Sequence, residues 1–312
     1  MTTHLVLGTG AVGATLANHL AAQGHTVRVV NRSGKRGFLD PAIPLSQADL
    51  NDRAGAASAL SGADVVYQVT QPSYTSWEAE FPALQRTILT AAEQAGASVV
   101  LADNLYGYGP PQGHTIADAS PQRPTTRKGA VRKAIAEEAL AAHAAGRVRI
   151  ALARPSNYVG ANYGIYRDLV LDQIAKGRPA RVLGRTNQPH SFSYVPDAAR
   201  AMADIGTSAD GWGRAWITPV MAPITQADLV ARLWEAFGQH GKPKVTGMRG
   251  LAMRGVGLFM PMLRESEEMI YEFDEPFIVS SGEFEQAFGW GATSWEDAVA
   301  QMGASVRASA TT

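Results

Sequence analysis

Residues 5–13 read LVLGTGAVG. A compact apolar run, Leu5 to Leu7, meets Gly8 and leads into the Ala/Leu-rich stretch 11–24, which is apolar at helical spacing and stops at Gly24. Gly8, Gly10 and Gly13 therefore stand in G-x-G-x-x-G spacing between a strand and a helix start. The first glycine permits a tight turn. The second lets backbone approach a pyrophosphate, and the third lets helix pack close on strand. Unpaired N–H groups and the positive dipole end of the helix favour phosphate there. The turn Gly8, Thr9, Gly10, Ala11, Val12, Gly13 reads as a dinucleotide site, against the plain alternative of a glycine-rich βα turn.

Outward from this turn the chain alternates strands with helices. Strands are expected at 27–30, 43–46, 63–70, 98–103 and 148–153, and helices at 81–96 and 128–146. Short apolar strands separated by helices predict an α/β fold, a doubly wound parallel sheet of the Rossmann type. Beyond residue 155 the pattern loosens. Helices are expected at 163–177, 195–206, 229–237, 264–273 and 295–302, with a late strand at 216–219 and a frayed tail from 304. The expected division is a nucleotide domain at 1–155, with 190–220 returning to it. A smaller, mainly helical substrate lobe takes 156–189 and 221–312.

Composition narrows the function. Lys+Arg and Asp+Glu balance at 28 each, which argues against nucleic acid or an anionic membrane as partner. The 312 residues contain no cysteine, excluding thiolate metal sites and a cysteine nucleophile. No histidines fall in metal-ligand spacing, so no metal is expected. The apolar stretch 251–263 contains Arg254 and is too short to span a bilayer. A cytoplasmic setting is the expectation.

The end of the second strand selects the cofactor. An NAD site usually carries Asp or Glu there for the ribose 2′-hydroxyl. This chain has Asn31, Arg32 and Ser33, with Lys35 and Arg36 close behind. A carboxylate would repel a 2′-phosphate and a guanidinium can grip it, so NADP(H) is expected. Asp49 is expected either on the adenine amino group, with the Leu50 backbone beside it, or as a helix cap. Val69, Thr70 and Gln71 end the fourth strand and should line the cofactor's ribose edge.

Five segments together resemble the extended short-chain dehydrogenase/reductases of the NAD-dependent epimerase/dehydratase superfamily: GTGAVGATLA, DNLYGYGP (103–110), ARPSNYVGA (153–161), SYVPDAARAM (193–202) and FGWGATSWEDAV (288–299). The resemblance implies Ser, Tyr and Lys at the catalytic centre, with Tyr-x-x-x-Lys before the sixth strand. Lys128 matches the lysine, but Pro124 stands at the tyrosine, and Asn104 stands at the serine when Tyr108-Gly109 is aligned. Residues 128–138 are also similar to the lysine helix of the isoflavone-reductase-like branch. Lys128 is then expected to hold the nicotinamide ribose and to supply or relay a proton, the alternative being a surface lysine. Tyr106 or Tyr108 is the other proton source, with Asn104 as hydrogen-bond donor. Arg154 and Pro155 are expected at the cofactor, and Asn157, Tyr158 and Tyr163 at the substrate. Arg154 and Asn157 alternatively tie the sheet to the second lobe. Tyr74 and Trp77 would form an aromatic wall or simply pack. Family likeness also implies a homodimer.

The leading reading is an NADP(H)-dependent oxidoreductase for a small organic carbonyl, alcohol or activated double bond. Tyr74, Trp77, Tyr163, Trp212, Phe259 and Met260 favour a neutral, partly hydrophobic substrate. A nucleotide-sugar epimerase or dehydratase with tightly held NAD is the alternative. A non-catalytic NADP(H)-binding redox sensor is the third.

Overall fold

Strands of continuous apolar sequence need cover on both faces, and the chain supplies it with helices. The structure, a computed structural model, describes residues 2–250, 253 and 261–310. Seven strands form one sheet: β1 (Thr3–Leu7), β2 (Thr26–Asn31), β3 (Leu45–Gln47), β4 (Val65–Gln68), β5 (Ser98–Ala102), β6 (Ile150–Arg154) and β7 (Ala215–Ile217). Their order is β7-β6-β5-β4-β1-β2-β3, with every neighbour parallel. The order reverses beside β1, and the cleft at such a switch point is where doubly wound sheets bind ligands.

Side chains alternate between the faces. Leu5, Leu7, Val66, Val99 and Leu152 meet α2 (Arg53–Leu60), α3 (Trp77–Ala95) and α4 (Arg127–Ala144). Val6, Val29, Tyr67, Val100 and Ala151 meet α1 (Ala11–Ala22) and α5 (Val195–Thr207). The stretch after residue 190 thus contributes both α5 and the edge strand β7 to the sheet.

A third core lies beyond the sheet. Leu171, Ile174, Phe192 and Tyr194 pack against α6 (Gln226–Ala236) and α8 (Trp295–Ala310), from which Leu233, Trp295 and Met302 are buried; α7 (Gly282–Phe288) lies instead on the sheet, with Phe284 buried there. Short strand pairs stitch this lobe together: Asn157–Val159 with Phe192–Tyr194, Pro189–His190 with Ile224–Thr225, and Ala180–Leu183 with Val245–Met248.

Several boundaries differ from the sequence expectation. β3 starts at Leu45, not Ile43, because Pro44 has no N–H for the ladder and Ile43 turns into the core. α3 begins at Trp77; Pro82 lies inside it, where a proline more often marks a helix start. The helix expected at 163–177 contains a π turn at Arg167–Leu171. The segment expected as one helix at 264–273 is a bent strap of Pro261–Glu265, a 3₁₀ turn at Glu267–Met269, and Tyr271–Asp274. The tail does not fray at 304: α8 continues to Ala310 because Val306 is buried.

Candidate active site

The glycine turn shows three separate geometric demands. Gly8 has φ +119°, a conformation side chains rarely adopt. A Cβ on Gly13 would lie 2.2 Å from the Gly8 carbonyl oxygen and 2.7 Å from Val69 Cγ2. A Cβ on Gly10 would meet nothing within 4 Å. Gly10 is also the N-cap of α1 and supplies no capping side chain. The first-turn N–H groups of α1 therefore open onto free space, as a dinucleotide phosphate requires.

Asn31 is buried at the end of β2. Its Nδ2 donates to Thr9 Oγ1 (2.6 Å) and the Lys35 carbonyl (2.7 Å), and its Oδ1 accepts from Gly34 N (2.6 Å). The side chain that might have been a carboxylate is thus a neutral brace for the glycine turn. Arg32 and Ser33 are exposed beside it. Arg36 donates to the Asp40 and Ile43 carbonyls and belongs to its own loop. Asp49 accepts from the backbone and side chain of Asn51, while Asp52, not Asp49, caps α2 through Gly55 N. Leu50 turns its side chain into the core.

One cavity of about 450 Å³ joins this turn to the interior of the lobe. Gly10, Ala11, Val12 and Gly13 line one end, with Val69, Thr70, Gln71 and Pro155 beside them. Tyr74, Trp77, Asn104, Tyr106, Asn157, Tyr158 and Tyr163 line the rest. Sequence reading named all of these. Trp77 stacks edge-on against Tyr74 (4.9 Å) and Phe81 (5.4 Å), forming a rigid aromatic wall. Asn104 Oδ1 accepts from Tyr106 N at 3.1 Å. The Tyr74 hydroxyl donates to that of Tyr106 at 3.4 Å.

Lys128, Tyr108, Arg154 and Trp212, also named from sequence, lie elsewhere. Lys128 does not line the cavity. Its Nζ is buried 2.9 Å from Glu265 Oε2 and 3.3 Å from Glu268 Oε1, with the Tyr74 ring 4.6 Å away between it and the site. A buried ammonium must be paired, and the carboxylates come from the strap, far along the chain. It is not a surface lysine either. Tyr108 is buried among Leu105, Ile116 and Phe277, and its hydroxyl accepts from Arg154 Nη1 at 3.1 Å. Arg154 also donates to Asp103 Oδ2 at 2.8 Å. This trio ties the ends of β5 and β6 together behind the cavity floor. Trp212 packs on the sheet with its Nε1 donating to the Ser208 carbonyl. Phe259 and Met260 lie outside the described residues.

Among the described residues the cation that reaches the cavity is Arg132, one helical turn after Lys128. Its guanidinium donates to the Ala102 carbonyl (3.1 Å) and to Gln71 Oε1 (2.9 Å), and it stacks on Trp77 and Phe81. Burial lowers its pKa, opposed by nearby Asp103. Its spacing of four from Lys128 was the available sequence signal. Glu272, contributed by the strap, also lines the cavity, and no motif marks it. Burial pushes its pKa up to about 8, with the Asn157 hydrogen bond acting the other way. Burial raises the phenols of Tyr106, Tyr158 and Tyr163 as well, keeping them protonated donors.

Comparison with known proteins fits this geometry. The family model described as "NAD dependent epimerase/dehydratase family" matches residues 4–213. The chain belongs to the NAD-dependent epimerase/dehydratase family. Membership accounts for the parallel sheet and for the glycine turn as a nicotinamide dinucleotide site. Among solved structures of the same fold is a dTDP-glucose 4,6-dehydratase from Streptomyces venezuelae with NAD bound. It has TM-score 0.79 and 18% identity, covering 98% of this chain and 97% of that one. A UDP-glucose 4-epimerase from Thermotoga maritima with UDP-glucose has TM-score 0.80 and 16% identity, covering 99% and 100%. The Thermus thermophilus UDP-glucose 4-epimerase with NAD has TM-score 0.76 and 21% identity, covering 98% and 99%. No curated protein matches the chain in sequence. Among the described residues no cluster could hold a metal ion, and no helix is long and apolar enough to cross a membrane.

Proposed function

We propose that this family member is an NADP(H)-dependent oxidoreductase that interconverts a small, neutral organic carbonyl compound and its alcohol. The observation that carries the reading is the continuous cavity that runs from the glycine turn into an aromatic chamber. A nicotinamide dinucleotide held at that turn would supply or accept a hydride. The residues present fit it. The α1 N–H groups and the space over Gly10 would take the pyrophosphate, Val69 to Gln71 the ribose edge, and exposed Arg32 the 2′-phosphate. Arg132, locked between Gln71 and the Ala102 carbonyl, would hold the nicotinamide ribose. This is the role sequence comparison had given to Lys128.

Within the chamber, the Tyr74 hydroxyl donates to Tyr106, so the Tyr106 hydrogen remains available to a substrate oxygen. Asn104 has its Oδ1 occupied by Tyr106 N, leaving its amide N–H groups as further donors. Trp77 and Phe81 exclude water and fix the guanidinium plane of Arg132. Among the described lining residues Arg132 is the one Arg or Lys, and it is already engaged. That disfavours a diphosphate-bearing substrate, whose charges need cationic partners.

Calorimetric titration of the purified protein with NADPH and NADH tests the reading. NADPH should bind more tightly, and Arg32→Ala should weaken NADPH by about 10- to 100-fold, the value of one lost charge-assisted contact, while sparing NADH. Equal affinities in wild type and variant would defeat the NADP assignment. The second reading, a nucleotide-sugar epimerase or dehydratase, is favoured by what the similar solved structures are named for. It requires NAD that copurifies with the protein and is recycled without release.

A further inference from the structure

Among the described residues Glu272 is the one carboxyl group lining the chamber besides Asp103, which Arg154 already engages. It comes from the strap, is 2% exposed, and has no ion-pair partner among the described residues. Its neighbours fix it closely. His190 is buried and stacked on Phe273 (4.7 Å) and Phe277 (5.2 Å). Burial pushes its pKa down to about 3, so the ring is neutral. His190 Nδ1 lies 2.9 Å from the Glu272 backbone carbonyl, an acceptor, so Nδ1 carries the hydrogen and Nε2 is the lone-pair nitrogen. Asn157 Nδ2 lies 3.3 Å from that Nε2 and 3.1 Å from Glu272 Oε2. Its two hydrogens therefore serve His190 and Glu272. Oε2 is held as an acceptor, and in the neutral acid the proton belongs on Oε1.

The titratable groups that feel this carboxyl are Tyr74 and Tyr106 from the cavity wall, Tyr163, and Tyr271 beside it on the strap. None of these is a cation; Arg132, which lines the same chamber, is engaged by the Ala102 carbonyl and Gln71 Oε1, and Lys128 behind Tyr74 is paired with Glu265 and Glu268. The phenols are held protonated by the same burial. Glu272 is thus the chamber's group whose proton can leave near neutral pH.

We propose that Glu272 is the acid that protonates the substrate oxygen in this chamber, with Asn157 and His190 as its positioning residues. The inference rests on the oxidoreductase reading above. In the step, the carbonyl carbon gains a hydride from the reduced nicotinamide and its C–O π bond breaks onto oxygen. That oxygen forms a bond to the proton of Glu272, whose O–H bond breaks. Carbon is reduced, the nicotinamide is oxidised, and the carboxylate recovers its proton from solvent. In the reverse direction the carboxylate is the base. The arrangement supplies the proton that Tyr-x-x-x-Lys would otherwise supply, from the strap that packs against the start of α4.

Two measurements on Glu272→Gln and Glu272→Asp test it. First, infrared difference spectra of the wild-type protein without nucleotide, compared with Glu272→Gln, should show a protonated carboxylic acid band at pH 7 that fades as pH rises through about 8. Absence of that band at pH 7 overturns the proposal whatever the catalytic data show. Second, single-turnover oxidation of bound NADPH by 4-nitrobenzaldehyde and by cyclohexanone should slow about 10²- to 10⁴-fold in Glu272→Gln, with the NADPH dissociation constant unchanged. The decline of the wild-type rate above pH 8 should disappear. Glu272→Asp, which keeps an acid, should recover part of the rate and the pH dependence. A Glu272→Gln rate and profile equal to wild type would overturn the proposal while leaving the oxidoreductase reading intact. Failure of the wild-type protein to bind NADPH would instead sink that reading, and this inference with it.

Discussion

Gly10 and Gly13 stand three residues apart and need to be glycine for different reasons. A Cβ at Gly13 has no room against the Gly8 carbonyl, which is backbone and cannot swing aside. Gly13→Ala should therefore destabilise the fold itself, by about 1–3 kcal/mol for an overpacked core position. Gly10→Ala adds a methyl group to open space, so thermal stability should stay near wild type. That methyl group enters the volume assigned to the pyrophosphate, and nucleotide affinity should drop at least about tenfold. Thermal melts paired with NADPH titration separate the two outcomes; a Gly10→Ala protein that binds NADPH normally would move the phosphate site elsewhere.

At the scale of elements, the strap over residues 261–274 and the start of α4 behave as one clasp. Glu268 accepts from Arg127 N at 2.9 Å, in the first turn of α4, where negative charge is favoured. Thr126 caps the helix through Gly129 N and contacts Met269 Sδ at 3.3 Å. Lys128 anchors the clasp from inside. Hydrogen bonding to Lys128 holds the Glu265 carboxyl below its usual pKa, with the Lys128 charge adding to it. Removing one partner of a fully buried pair costs about 3–5 kcal/mol. Glu265 and Glu268 keep some solvent contact, so Lys128→Met should cost less, about 1–2 kcal/mol. Turnover should fall through loosening of Glu272 on the same strap, while NADPH affinity stays within a few fold. If Lys128→Met instead abolishes NADPH binding with no loss of stability, Lys128 belongs to the cofactor site and the clasp account fails. The split between Lys128 and Arg132 has a simple geometric cause. One helical turn separates them, but Lys128 lies where the strap crosses and Arg132 lies where β4 and β5 end.

For the molecule as a whole, Glu272 links the site to stability. Its pKa rises from 4.5 to about 8 on folding, so the folded state binds its proton more tightly than the unfolded state. The resulting stability is fully present below about pH 4.5 and is lost as pH climbs through about 8. Denaturant unfolding should show wild type losing stability relative to Glu272→Gln across that window, with the two curves parallel above it. Parallel curves throughout would mean that the carboxyl is already ionised in the folded protein.

The amino-acid order alone determined the parallel sheet and the glycine turn, and it named Tyr74, Trp77, Tyr106, Asn157, Tyr158 and Tyr163, which line the cavity. These follow from short-range causes: apolar runs of strand length, helix starts, and residues placed just past strand ends, where a doubly wound sheet opens. Docking of the strap was decided only in three dimensions. Lys128 and Glu265 are 137 residues apart in sequence, and Asn157 and Glu272 are 115 apart. Neither period nor motif relates such positions, because the burial that pairs one ammonium and neutralises one carboxyl exists only after both lobes have packed.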